Sequence, residues 1–254
     1  MKKLLTIMLV ACCSILSAQA QTVYRYDAKL DGRIPVIIAL QQNNGDIVAG
    51  YIYYPNAKNP APIMVIGNVM QYPFDEADYH LNEYQSDGTI TGTILIQREE
   101  GMLKGTWTNP QTQKEMTLTD LTVSQQQPEW FLESLLTPED PGDIGHEYVF
   151  NQWSPKYSEN MGGNICFRAA GKNKVHFECT NAYNNIAEGK SEAGRPAVLD
   201  GNEFEYRDVN ECGYAFRATF FTRFVVLQTI SGEASTRCFG MNASFDGVYI
   251  KVKK

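Results

Sequence analysis

The chain has 254 residues, 43% hydrophobic and 20% charged, with 20 Gly and 11 Pro. It is long enough to bury a substantial core, too apolar for disorder and too poor in Gly and Pro for a collagen-like or low-complexity chain. The formal charge of −7, with no basic cluster beyond the tail Lys251, Lys253 and Lys254, argues against a nucleic-acid partner, because phosphate neutralisation needs clustered Lys and Arg.

Residues 1–20 read as an export signal: Lys2 and Lys3, an apolar run from Leu4 to Leu16, and Ala18-Gln19-Ala20 as a small-x-small cleavage site. The expected location is periplasmic or extracellular. The alternative reads Leu9-Val10-Ala11-Cys12 as a lipid-attachment box; the protein is then an outer-membrane lipoprotein that touches the membrane only through Cys12. After residue 20, nothing approaches the roughly 18 apolar residues of a membrane-spanning helix.

Residues 21–124 alternate apolar and polar with period two, which predicts strands near 23–30, 34–41, 46–54, 62–67, 78–84, 89–97, 102–108 and 115–122. Asp31-Gly32, Asn44-Gly45 and Asp87-Gly88 supply hairpin turns. One face is expected to carry Ile34, Val36, Ile38 and Leu40, and another Ile90, Gly92, Ile94 and Ile96. Regularly spaced short strands suit an antiparallel barrel or sandwich.

Residues 125–147 break the pattern. Pro128 opens a stretch with Trp130, Phe131, Leu132, Leu135 and Leu136 that reads as a short helical linker packing on a neighbouring domain, followed by Pro138-Glu139-Asp140-Pro141-Gly142-Asp143. Residues 148–254 return to strands, near 148–153, 163–169, 174–181, 196–199, 203–208, 213–221, 223–230 and 247–252. The fold class is all-β: two tandem antiparallel β-barrel or sandwich domains.

Beyond the signal, Cys166, Cys179, Cys212 and Cys238 form an even set in an exported chain and are read as two disulfides. Three connectivities are open. A Cys166–Cys179 bridge across a hairpin needs a bulge or register shift, because alternation turns the two residues to opposite faces. The spacings lack the close Cys pair of a zinc site, and His80, His146 and His176 are not at ligand spacing; no metal and no cofactor are expected.

Letter matches to chemistry fail on context. Asp75-Glu76-Ala77-Asp78 resembles a helicase box, but Gly189-Lys190-Ser191 has Asn184 where a phosphate loop needs its first glycine. No nucleophile-elbow, zinc-protease or dinucleotide pattern occurs. Glu83 with Glu99 or Glu100 could supply the two acids of a carboxylate-based hydrolase, but turn and strand-end acids are ordinarily solvated, and the expectation is no enzyme. Tyr51, Tyr53 and Trp107 are the candidate ligand-binding residues, flat groups able to stack on sugars or anchor a partner. Their alternative role is to fill the barrel.

Gly50-Tyr51-Ile52-Tyr53-Tyr54, Leu81-Asn82-Glu83, Gly88-Thr89-Ile90-Thr91-Gly92 and Leu103-Lys104-Gly105-Thr106-Trp107 resemble a β-rich module of exported bacterial proteins with the run G-x-Y-x-Y, L-x-E, G-x-x-T-G and L-x-G-x-W. The stretch from Cys212-Gly213-Tyr214 through Cys238-Phe239-Gly240 to Phe245-Asp246-Gly247-Val248-Tyr249 is similar to a second exported module that accompanies lysozyme-inhibitor-like proteins. That resemblance implies a Cys212–Cys238 bridge, leaving Cys166 with Cys179, and implies no catalytic residues. The expected function is therefore non-enzymatic binding of an envelope protein, inhibitor-like toward a basic enzyme being one form, since residues 21–147 carry a formal charge of −11. A glycan is the alternative ligand.

Overall fold

Alternation with period two becomes strand throughout a computed structural model that describes residues 22–43, 45–72, 77–139, 148–153, 162–181, 187–208, 214–230, 239 and 244–252. The signal, Cys12, His146, and Cys212 with Cys238 and their pairing lie outside the described residues.

Eight strands come from the first half: β1 (Tyr24–Leu30), β2 (Ile34–Gln42), β3 (Ile47–Tyr53), β4 (Ile63–Gln71), β5 (Ala77–Tyr84), β6 (Ile90–Glu99), β7 (Met102–Thr108) and β8 (Glu115–Ser124). Each pairs antiparallel with the next, and β1 pairs with β8, which closes a barrel. An eight-stranded barrel has an interior just wide enough for side chains to fill. Tyr26, Ile38, Ile52, Val65, Leu81 and Ile96 fill it, each at most 2% exposed. The turn at Asp31 and Gly32 takes the positive φ values that hairpin turns require, 49° and 69°. At Gly50, a Cβ would lie 1.9 Å from the Ala39 carbonyl oxygen of β2, so the close approach of β2 and β3 admits only glycine.

One expected face is corrected. Ile94 and Ile96 point inward, but the register slips between Glu83 and Tyr84 of β5 and turns Ile90 to the outside of the barrel. A one-residue bulge flips every side chain beyond it.

The second half forms β9 (Tyr148–Trp153), β10 (Gly162–Ala169), β11 (Lys174–Asn181), β12 (Ala187–Lys190), β13 (Ala197–Val198), β14 (Glu203–Arg207), β15 (Ala215–Phe220), β16 (Phe224–Thr229) and β17 (Gly247–Val252). They make one antiparallel sheet in the order β12-β11-β10-β9-β17-β16-β15-β14, with β13 beside β11. Because β13 leads through the Asp200–Gly201 turn into β14, the two ends of the sheet are drawn toward each other. Its concave side encloses an aromatic core in which Phe177 meets Phe216 edge-on at 5.1 Å and Phe167 meets Phe220 at 4.8 Å.

Among the described residues of the expected helical linker, 125–139, there is no helix. Prolines at 128 and 138 bound the stretch, and a segment this short nucleates helix poorly on its own. Side chains capture the backbone locally instead: the Leu136 N–H donates to Ser134 Oγ (3.1 Å), Thr137 Oγ1 donates to the Ser134 carbonyl (3.0 Å) and Gln127 Nε2 to the Phe131 carbonyl (2.7 Å). The extended course lets Phe131, Leu135 and Leu136 enter a crevice between the outer wall of the barrel and the second sheet. There they join Tyr51 and Ile66 on one side and Phe224 and Ile250 on the other. The halves share this third core.

Candidate functional site

The three aromatic candidates fall in two places. Tyr51 and Tyr53 sit on the outer wall of the barrel, where Tyr51 meets Phe131 edge-on at 5.5 Å and Tyr53 stacks on Trp130 at 5.2 Å. Trp107, on β7, faces the interior of the barrel. The structure does not bring the three together on one surface, and the partners of Tyr51 and Tyr53 come from the connecting segment.

Trp107 instead serves Glu83, which is 3% exposed on the inner wall of β5. Its indole N–H donates to Glu83 Oε1 at 3.0 Å, the Tyr54 hydroxyl donates to the same oxygen through a short bond, and the Thr91 hydroxyl donates to Oε2 at 3.4 Å. Burial pushes the Glu83 carboxyl above the usual carboxylate range, and the three donors partly offset it. Burial, followed by the adjacent Glu83 charge, raises the Tyr54 phenol. At Gly92 a Cβ would lie 2.4 Å from Trp107 Nε1 and 2.6 Å from Glu83 Oε2, so any side chain there breaks the network. Tyr54, Glu83, Gly92 and Trp107 stand on four separate stretches of the sequence, and the barrel brings all four to one point.

This geometry removes Glu83 and Glu100 as an acid pair, and the side chain of Glu99, the other expected partner, lies outside the described residues. Glu83 faces Gly92 near the start of β6, whereas Glu100 follows the end of that strand. Eight residues at about 3.3 Å each put them roughly 26 Å apart, well beyond the spacing that flanks a glycosidic bond.

The expected Cys166–Cys179 bridge is also corrected. In the β10–β11 register Cys166 faces Glu178 and Cys179 faces Ile165, with no slip between them. The two thiols therefore point to opposite sides of the sheet and are unbridged. Cys179 lies in the aromatic core, where burial pushes its thiol well up.

Two concavities among the described residues bear on function. The smaller, about 460 Å³, lies on the outer side of the second sheet beside Arg168, His176, Glu178 and Ser191. Ser191 Oγ lies 2.8 Å from His176 Nδ1, but it also accepts the Phe177 N–H at 3.2 Å, and the Ser191 N–H donates to the Phe177 carbonyl at 3.0 Å. The hydroxyl is committed to joining the chain after β12 to β11, so the contact explains architecture. Among the described residues no set of three metal-ligating side chains converges.

The larger concavity, about 650 Å³, is a cleft between the barrel's outer wall at β4–β8 and the end of the second sheet where β16 finishes and β17 begins. Antiparallel pairing arranges its floor in rows that cross the strands. One row is Asn68, His80, Leu95 and Thr106 from β4 to β7; the next is Asn82, Thr93, Thr108 and Glu115 from β5 to β8. Among the described residues, the side chains of Asn68, His80, Thr93, Thr106 and Thr108 make no hydrogen bond to another protein group. Val226 and Val248, members of the shared apolar core, line it from the second sheet, and Asp46 and Asp246 are also in the lining. Gln228 Nε2 reaches both Asp46 oxygens at 3.4 Å from the second sheet to the barrel, and Asp246 accepts the Thr229 N–H and hydroxyl within the second sheet, so both carboxylates are engaged. Sequence reading missed this site, because its residues are the outward half of each strand's alternation and look like ordinary solvated positions. The cleft exists only once the second sheet is laid beside them.

Comparison with known proteins found no matching family model, no similar curated protein and no similar solved structure.

Proposed function

We propose that this is an exported, non-enzymatic binding protein of the bacterial envelope, built of two tandem β-domains and holding its ligand in the cleft between them. The observation that carries the reading is a cleft of about 650 Å³ whose floor includes Asn68, His80, Thr93, Thr106 and Thr108, side chains with no hydrogen bond to another described protein group. That volume lies in the range of sites that enclose a ligand, roughly 300–1,000 Å³. The leader-like pattern of residues 1–20 supports export.

A protein partner with a basic face is one occupant that the charge supports, since residues 21–147 carry −11 and the cleft is lined by Asp46, Glu115 and Asp246 with no Lys or Arg. The aromatic surface of Tyr51, Tyr53 and Trp107 no longer supports a glycan, because those rings are divided between the connecting segment and the barrel interior.

The test is to immobilise the protein, pass envelope extract and soluble wall fragments over it, and repeat with Thr93→Trp, which plugs the cleft from an exposed position. Retention lost in the plugged protein and kept by Glu100→Ala, at the far end of β6, supports the cleft. Retention unchanged by the plug overturns it.

A further inference from the structure

We infer that the ligand of this cleft is a linear, uncharged, hydroxyl-rich chain, a β-linked glycan strand by chemical class, lying across the barrel strands. The inference rests on the cleft being the binding site and goes on to name what fills it.

The first argument is spacing. One row on the floor places successive polar side chains on adjacent strands, and the other does so except at Leu95; the strands repeat about every 4.8 Å, close to the length of one pyranose ring. The row Asn82, Thr93, Thr108 and Glu115 takes one residue from each of four neighbouring strands, so it matches about four consecutive rings. An extended peptide lying the same way repeats its side chains on one face at nearly twice the single-residue rise and would fall out of step.

The second is chemistry. Each hydroxyl of Thr93, Thr106 and Thr108 and each amide of Asn68 and Asn82 can donate and accept, as a sugar hydroxyl does. Neither an anion, which wants only donors, nor a cation, which wants only acceptors, needs such a surface. An anion is further disfavoured by the absence of Lys and Arg from the described lining, and of the three carboxylates described there only Glu115 stands within the rows. Asp46 and Asp246 already have protein donors on them.

The third is the wall on the side of the second sheet. Val226 and Val248 line the cleft from the second sheet, each with a small exposed part beyond the apolar core that the halves share. A sugar ring has a polar edge and an apolar C–H face, so it presents one surface to the floor and the other to these valines. A basic protein segment would leave the hydroxyl rows unmatched.

The experiment is calorimetric titration of the whole protein with chito- and cello-oligosaccharides of two, four and six residues, at low and high salt, with a basic lysozyme as the competing class. The expected result is affinity that rises from two to four residues, levels off by six and does not respond to salt. Thr93→Val with Thr108→Val, which keeps shape and removes two hydroxyls, should weaken binding by about tenfold or more, on the scale of two lost hydrogen bonds, with the unfolding midpoint unchanged. No binding of any oligosaccharide overturns the inference. If the lysozyme alone binds, with an affinity that falls with salt and is abolished by Thr93→Trp, the cleft stands as the site and the glycan falls. If Thr93→Trp leaves oligosaccharide binding intact, the ligand lies elsewhere and the cleft reading falls with it.

Discussion

Strand β5 shows two opposite uses of polar residues within a single element. Its inward residue Glu83 is buried and holds three donors, whereas its outward residues His80 and Asn82 line an open cleft. The inner wall is where a perturbed carboxylate appears, and perturbed carboxylates ordinarily draw attention as functional candidates. Here the perturbation belongs to architecture: Glu83 ties Tyr54, Thr91 and Trp107, from outside β3, from β6 and from β7, into one end of the barrel. Polar groups without a protein partner among the described residues, His80, Thr93 and Thr106 among them, lie on the other face of the barrel wall. A satisfied buried charge reports how a fold is held, and unsatisfied ordered side chains report what it can hold.

The largest effect that would break this comparison lies where the outer wall meets the second sheet. Phe131→Ala removes a ring 3% exposed between Tyr51 and the second sheet and should cost about 3–5 kcal/mol, read as a lowered denaturation midpoint. A loss below about 1 kcal/mol would mean that the shared core does not couple the halves.

The inner wall is tested by pH. Glu83 is raised above its ordinary range, about 4.3, so the folded state holds this proton more tightly than the unfolded state. Its contribution is most favourable below the unfolded value and is lost as pH rises through the folded one, at no more than about 1.4 kcal/mol per pH unit. Glu83→Gln keeps the shape and cannot ionise, so the difference between variant and native stability should grow in the variant's favour as pH rises from about 4.3. A constant difference across that window would show that Glu83 does not titrate as its burial demands.

The smallest effect sharpens the contrast. Arg223→Ala removes a half-exposed ion pair to Glu133 of the connecting segment, 2.5 Å long, and should change stability by less than about 1 kcal/mol. A larger loss would mean that the halves are held by charge as well as by the apolar crevice.

Much of the fold was legible in the sequence because strand alternation is a local property. Val36, Ile38 and Leu40 share the inner wall as their spacing requires. The strand at Ala187–Lys190 was not legible, since Ala-Glu-Gly-Lys is short and carries no alternation; β11 recruits it by pairing Asn181 with Ala187 through Glu178 with Lys190. The stretch around Phe131 carries apolar residues at spacings compatible with a helix, yet its conformation follows the crevice it fills. Of the site, Trp107 and Glu83 stood out separately, but nothing local joins residues on different strands.

The sequence by itself determined an all-β chain, the inward and outward faces of most strands, and the opposite facing of Cys166 and Cys179, because each follows from a two-residue period. Only the tertiary structure decided that β1 closes on β8 by pairing Arg25 with Ser124, that Ile90 turns outward at a bulge, and that Asn68, Asn82, Thr93 and Thr108 become the floor of a cleft. Those outcomes depend on contacts between residues distant in the chain, whose free energy no local pattern records.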